Sequence, residues 1–63
     1  MPGTSYEVEV HDYNNSAQET CVSFTLFDVN DLVSLLNIIE KENTFRASTD
    51  TPEVALYVVP RFN

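Results

Sequence analysis

Residues 27–43, FDVNDLVSLLNIIEKEN, restrict the fold more than any other stretch, because their apolar side chains recur with the period of an α-helix. At about 100° per residue, a single stripe holds the large aliphatic residues Leu32, Leu35, Leu36 and Ile39. Asp28 is placed to cap the first turn with its carboxylate, and Asn43 suits the left-handed conformation that ends many helices. The segment predicts an amphipathic helix that begins at Asp28 and ends by Asn43.

Two stretches before this helix, residues 6–11 and 21–26, alternate between apolar and polar side chains. Alternation is the period of a half-buried β-strand. A hairpin centred near Ser16 pairs Val8 with Phe24. The same register gives two further pairs, Val10 with Val22 and Tyr6 with Leu26. Both apolar rows then fall on one side of the sheet, where the helix can cover them.

The chain after the helix supplies a third strand, residues 53–59, which Pro60 is expected to end because proline has no N–H to donate. Residues 12–19, rich in Asn, Asp and Ser, predict the first turn, and residues 1–5 a disordered tail. A right-handed crossover places the third strand beside the first. The predicted fold class is α+β: one ββαβ domain over residues 1–63, with a three-stranded sheet in the order 2-1-3 and one amphipathic helix packed on one face.

The balance of charge restricts the possible partners. Ten acidic and three basic side chains give the chain a net charge of -7, which opposes direct contact with nucleic acid or an anionic membrane. A basic protein surface is the partner that this charge suits. The alternative is that the charge only keeps a small protein soluble.

The cysteine count predicts the compartment. A single cysteine, Cys21, excludes an internal disulfide framework, which a secreted domain of this size would usually need. The N-terminus lacks the basic and apolar regions of a signal peptide, and no stretch approaches the roughly 18 apolar residues of a membrane span. These features predict a cytoplasmic protein, in the host cytoplasm if a phage encodes it.

Catalytic and cofactor chemistry find little support in the sequence. The hairpin register puts His11 opposite Cys21, but an open sheet face lacks the water-excluding pocket and oxyanion donors that a Cys-His nucleophile needs. One cysteine and one histidine do not make a spaced zinc set, and the single glycine, Gly3, cannot form a phosphate-binding loop. The sequence therefore predicts a non-enzymatic protein, with no catalytic residue, no metal and no cofactor.

The third predicted strand is apolar on both faces, and a single helix can cover only one of them. Tyr57 and Val59 are left on the opposite face beside Glu7 and Glu9, unless terminal residues fold over them. These two carboxylates lie about 7 Å apart along a strand, which is close to the spacing of successive phosphates in a nucleic-acid strand. The alternative is an ordinary solvated strand face, which has the same spacing. On the helix, Ile38 projects away from the apolar stripe. The predicted partner-binding residues are Glu7, Glu9, Asp12, Glu19, Ile38, Tyr57 and Val59.

Two segments carry a resemblance to known proteins. Residues 22–40, VSFTLFDVNDLVSLLNIIE, and residues 54–62, VALYVVPRF, read as a strand, a capped amphipathic helix and a final strand that ends near a proline. With its size and acidity, the chain resembles the small phage-encoded inhibitors of host machinery, such as anti-CRISPR proteins and inhibitors of host RNA polymerase. The resemblance implies a protein that disables a host partner, and it assigns no functional residue.

Two hypotheses follow. The first is an inhibitor or modulator, encoded by a phage or mobile element, that blocks a basic, nucleic-acid-handling surface of a host protein. In this hypothesis Tyr57 and Val59 supply the desolvated anchor, and the charge comes from Glu7, Glu9, Asp12 and Glu19. The alternative is a self-assembling module that forms a homodimer through the second face or the edge of strand 53–59.

Overall fold

The computed structural model describes residues 3–13 and 19–62, and within them the chain forms three strands and one helix. The elements are β1 (Thr4–Tyr13), β2 (Glu19–Leu26), α1 (Val29–Ser48) and β3 (Val54–Phe62). β1 lies in the centre of the sheet and pairs antiparallel with both neighbours, in the order β2-β1-β3. The predicted α+β class, the ββαβ layout and the strand order are confirmed.

The register of the hairpin is also the predicted one. Val8 pairs with Phe24 on one side and with Val58 on the other. Arg46 of α1 donates to Asp12, so the side of β1 that carries Asp12 faces the helix. Because side chains alternate along a strand, this inner face also holds Tyr6, Val8 and Val10. The opposite side of the sheet, the outer face, holds Glu7, Glu9 and His11.

The core of the protein is thin. Among the described residues, Val8 and Val54 are the only buried apolar side chains, and Val8 is only 1% exposed. α1 contributes no buried residue. Three members of the predicted helical stripe are half-buried: Leu32, Leu35 and Ile39. A domain of this size encloses little volume, so a few side chains account for much of the apolar burial.

The helix begins as predicted and ends later than predicted. The carboxylate of Asp28 accepts a hydrogen bond from the N–H of Asn30 at 2.8 Å, so Asp28 is the N-cap. Asn43 does not end the helix. Its side-chain amide accepts from the N–H of Val54 at 2.7 Å and donates to the C=O of Val54 at 3.0 Å. The predicted end at Asn43 is therefore wrong, because this residue ties the helix to the start of β3 while α1 continues to Ser48.

The true end of α1 is a Schellman motif. Asp50 has a φ of 57°, its N–H donates to the C=O of Ala47, and the N–H of Thr51 donates to the C=O of Arg46 at 2.9 Å. This left-handed position is usually occupied by glycine and sometimes by asparagine. The preference for glycine or asparagine at this left-handed position led the sequence prediction to Asn43, whereas Asp50 occupies it in the structure.

β3 continues through Pro60 to Phe62, so the prediction that Pro60 ends the strand is wrong. The N–H and C=O of Val54 bond Asn43 and so point away from β1. Backbone groups alternate in direction along a strand, which puts Pro60 in the same orientation as Val54. The N–H that proline lacks would therefore face the open edge of the sheet, where its loss breaks no bond to β1.

The first strand is longer at both ends than predicted. β1 begins at Thr4, and the buried Ser5 pairs with Arg61, so the predicted tail of residues 1–5 includes two strand residues. Residues 1–2 lie outside the described part of the chain. Of the predicted turn at residues 12–19, the two ends belong to β1 and β2, and residues 14–18 also lie outside the described part.

Candidate functional site

Three rows of residues cross the outer face, each with one residue of β1 between its partners on β2 and β3. The rows are Thr25, Glu7 and Val59; Ser23, Glu9 and Tyr57; and Cys21, His11 and Ala55. Since α1 lies on the inner face, the helix leaves these rows uncovered. The sheet thus places Tyr57 and Val59 beside Glu9 and Glu7, on the face that the sequence predicted for them.

The apolar part of the outer face is half exposed. Tyr57 is 53% exposed and Val59 is 50% exposed. Together with Glu7 and Glu9 they line a shallow depression of about 660 Å³. Small molecules bind in enclosed clefts that bury most of their surface. The depression on the outer face is open rather than enclosed, so it does not have the form of a small-molecule cleft.

Both carboxylates in the depression have partners. The carboxylate of Glu7 accepts from Nε of Arg61 at 2.5 Å, and Oε1 of Glu9 lies 2.9 Å from Nε2 of His11. Glu7, Glu9 and Arg61 are all more than half exposed, so solvent screens these pairs and their stabilising effect is small.

Asp12 does not belong to the predicted acidic surface. Its carboxylate lies on the inner face, where both of its oxygens accept from the guanidinium of Arg46, at 2.7 and 3.1 Å. Arg46 also donates to Glu42 and to the carbonyls of Tyr13 and Pro52. The hydrogen bond from Arg46 lowers the pKa of Asp12, and the same pairing raises the pKa of Arg46. The structural role of Asp12 is to fix α1 against the sheet.

The two other predicted binding residues lie apart from the depression. Glu19 pairs in register with Tyr13 at the first position of β2, and its side chain lies outside the described part of the structure. Ile38 is 62% exposed on α1, on the opposite side of the sheet from Tyr57. Phe45, seven residues further along the helix, is also exposed, so these two apolar side chains share one side of α1. One flat partner surface cannot contact both Ile38 and Tyr57.

A second constellation lies beside the depression. Nε2 of His11 is 2.9 Å from Oε1 of Glu9 and 3.7 Å from Sγ of Cys21. The rings of His11 and Tyr57 form a T-shaped pair with centroids 5.1 Å apart, and the ring of His11 stacks on that of Tyr13 at 6.3 Å. The predicted pairing of His11 with Cys21 is confirmed. The inclusion of Glu9 was missed, although its position two residues before His11 was the signal, since such residues share a strand face.

Within the described residues, the protein is a small α+β domain whose helix leaves the outer face of the sheet uncovered. Comparison of the chain with protein-family models, with curated proteins and with solved structures found no match. Within residues 3–13 and 19–62, no helix is both long and apolar enough to cross a membrane.

Proposed function

We propose that this chain is a non-enzymatic inhibitor or modulator, encoded by a phage or mobile element, that blocks a basic, nucleic-acid-handling surface of a host protein in the cytoplasm. The observation that carries the proposal is the outer face, where Tyr57 and Val59 lie half exposed beside Glu9 and Glu7. An aromatic anchor next to carboxylates is complementary to a partner that presents lysine or arginine around an apolar spot.

Tyr57 supplies the anchor in this proposal. Its ring contacts His11 at a centroid distance of 5.1 Å, which restricts its motion before any partner arrives. A side chain that is already ordered loses less conformational entropy on binding. Tyrosine is also among the residues that dominate binding energy at interfaces, where truncation of a central one costs about 2 kcal/mol or more.

The charge of the chain supplies the attraction. With a net charge of -7, the protein draws a basic surface towards it over distances comparable to the Debye length. Glu7 and Glu9 then lie at the contact itself, where Arg61 and His11 are their present partners. Binding is therefore expected to weaken with salt, mainly through a slower association rate.

The test is capture of partners from bacterial lysate on the immobilised chain, across a series of salt concentrations, with identification by mass spectrometry. We expect a nucleic-acid-handling protein that added DNA or RNA displaces. Tyr57→Asp is expected to weaken its binding by about 30-fold or more. The double variant Glu7→Lys with Glu9→Lys is expected to abolish the salt dependence along with most of the binding.

Matched controls separate the outer face from the overall charge. Asp31→Lys with Glu40→Lys changes the net charge by the same amount on the helix, and Ile38→Ser removes an exposed apolar side chain there. Both controls are expected to retain binding. The proposal fails if no nucleic-acid-handling protein is captured, or if the helix variants weaken capture as much as the outer-face variants do.

The open edge of β3 favours a second candidate function, assembly into a homodimer. Since the N–H of Val54 points away from β1, alternation directs the N–H groups of Leu56 and Val58 to the same open edge. An unpaired strand edge is a template for pairing with another chain. The thin core also favours a homodimer, because a domain this small often gains stability from a second copy.

Hydrogen exchange tests the homodimer without any substitution. In a monomer, the amides of Ala55, Tyr57 and Val59, which face β1, are expected to exchange slowly, and those of Leu56 and Val58 rapidly. An edge-to-edge dimer would protect both sets, and sedimentation would show twice the monomer mass. Rapid exchange at Leu56 and Val58 in a sample that sediments as a monomer would exclude assembly through this edge.

A further inference from the structure

We infer that Glu9, His11 and Cys21 form a binding site for a zinc ion on the outer face. The three side chains belong to the strand pair β1 and β2, and the register sets His11 directly opposite Cys21. One carboxylate oxygen, one imidazole nitrogen and one sulfur all lie within 4.8 Å of one another. The site shares Glu9 with the proposed partner surface, but metal titration of the chain alone tests it without the partner or the homodimer.

The distances from Nε2 of His11 to the two other donor atoms can be compared with those of tetrahedral coordination. Zinc binds imidazole nitrogen and carboxylate oxygen at about 2.0–2.2 Å and thiolate sulfur at about 2.3 Å. In a tetrahedron, these bond lengths separate nitrogen from oxygen by about 3.4 Å and nitrogen from sulfur by about 3.6 Å. The structure has 2.9 Å between His11 and Glu9 and 3.7 Å between His11 and Cys21. The carboxylate oxygen and the sulfur lie within 4.8 Å of each other, and the same bond lengths require about 3.6 Å between them. The exposed side chain of Glu9 therefore has to turn away from Nε2 of His11 and towards Cys21 to admit the ion.

The central ligand is already held in place. The side chain of His11 is 19% exposed and lies in contact with the rings of Tyr13 and Tyr57, with Nε2 directed towards both Glu9 and Cys21. Glu9 and Cys21 come from neighbouring strands of a paired sheet, so their backbones cannot separate without breaking the ladder. Binding therefore requires little reorganisation of the chain.

The donor set selects the class of metal. Thiolate and imidazole ligands favour zinc over magnesium or calcium, which prefer oxygen ligands. Three protein ligands leave a fourth position that a water molecule fills. On binding, the Cys21 thiol loses its proton to solvent and the resulting thiolate sulfur bonds the ion. The strongly negative chain raises the local concentration of cations.

The test is titration of the full chain with Co²⁺ and then Zn²⁺ in a buffer that contains a non-chelating reductant. We expect one Co²⁺ per chain, a sulfur-to-cobalt charge-transfer band in the near ultraviolet, intense visible bands of tetrahedral cobalt, and loss of both on addition of Zn²⁺. Cys21→Ser is expected to abolish the charge-transfer band. His11→Gln and Glu9→Gln are each expected to weaken Co²⁺ binding by more than about tenfold, since even the loss of an outer-shell partner costs that much.

Glu7→Gln is the matched control, because it removes the same charge from the same strand face while its partner is Arg61 rather than His11. The affinity of this variant for Co²⁺ is expected to stay within about twofold of the wild-type value, because one exposed charge changes the attraction of the ion only slightly.

A measurement on the unchanged chain supplements the variants. Zn²⁺ is expected to slow alkylation of Cys21 by about tenfold or more, because the metal-bound thiolate is no longer free to react. Co²⁺ binding without a sulfur band, or alkylation that is indifferent to Zn²⁺, would overturn the inference.

Discussion

Val8→Ala is expected to lower the free energy of unfolding by about 2–3 kcal/mol. This loss is the sum of the transfer free energy of the deleted methyl groups and the cost of the cavity that they leave. Val8 is 1% exposed and lies between Phe24 and Val58 in the middle of the sheet. A domain of this length rarely has more than about 3–5 kcal/mol of stability. The variant is therefore expected to be substantially unfolded at ambient temperature, which urea titration followed by circular dichroism would measure.

Val59→Ala is the matched control for this prediction. It deletes the same two methyl groups from a neighbouring strand, but Val59 is 50% exposed on the outer face. The expected loss is within about 0.5 kcal/mol, as for most surface substitutions. Equal losses at the two positions would show that Val8 is not the centre of the core. A loss at Val59 that grows with protein concentration would instead reveal an interface between copies.

Arg46→Met is the second variant with a large expected effect, a fall in the midpoint of thermal unfolding of about 5–10 °C. The side chain of Arg46 is 14% exposed and donates to Asp12, to Glu42 and to two backbone carbonyls. The substitution removes the bonds that join α1 to the end of β1 and leaves Asp12 without its cation. Differential scanning calorimetry would measure the change.

Two further measurements identify the origin of this effect. Arg61→Met removes an exposed ion pair with Glu7 and is expected to lower the free energy of unfolding by no more than about 0.5 kcal/mol.

The pH dependence of the Arg46→Met effect separates the contribution of charge from that of packing. The Asp12 pKa is lowered in the folded state, so its contribution is present above its ordinary value of 3.8 and is lost as the pH falls through the lower folded value.

The stability difference between the wild type and Arg46→Met is therefore expected to shrink as the pH is lowered below 3.8. Urea titrations of both proteins across this range would show it. A difference that stayed constant with pH would mean that Arg46 acts through packing of its aliphatic stem rather than through Asp12.

The sequence prediction placed the residues of the outer face correctly but missed one of their ion pairs. Alternation along β1 and β3 was enough to place Tyr57 and Val59 on the same face as Glu9 and Glu7, because successive side chains of a strand point to opposite faces. The pairing of Tyr57 with Glu9 and of Val59 with Glu7 came only from the structure. The same reasoning did not show that Arg61 pairs with Glu7. That contact joins residues far apart in the chain, and it requires β3 to continue past Pro60.

Asp12 shows why a run of acidic residues in a sequence predicts a larger acidic surface than the structure has. In the sequence it extends a run of acidic residues, but an even-numbered residue of β1 lies on the inner face, where Arg46 is its partner. The helix had to continue past Asn43 for Arg46 to reach it. Alternation along β1 therefore fixed the face on which Asp12 lies, and the longer helix supplied its partner.

By itself, the sequence determined the elements, the hairpin register and the helix start at Asp28, because each depends on local periodicity or on a cap within one turn. It also predicted the strand order, because the handedness rule for crossover connections leaves few arrangements of so few elements. Only the tertiary structure decided the end of α1, where Asn43 bonds Val54 and Arg46 bonds Asp12. It also brought Glu9 and Cys21 to the same nitrogen of His11. These features depend on hydrogen bonds and distances between side chains of different elements, and such distances exist only once the elements have packed.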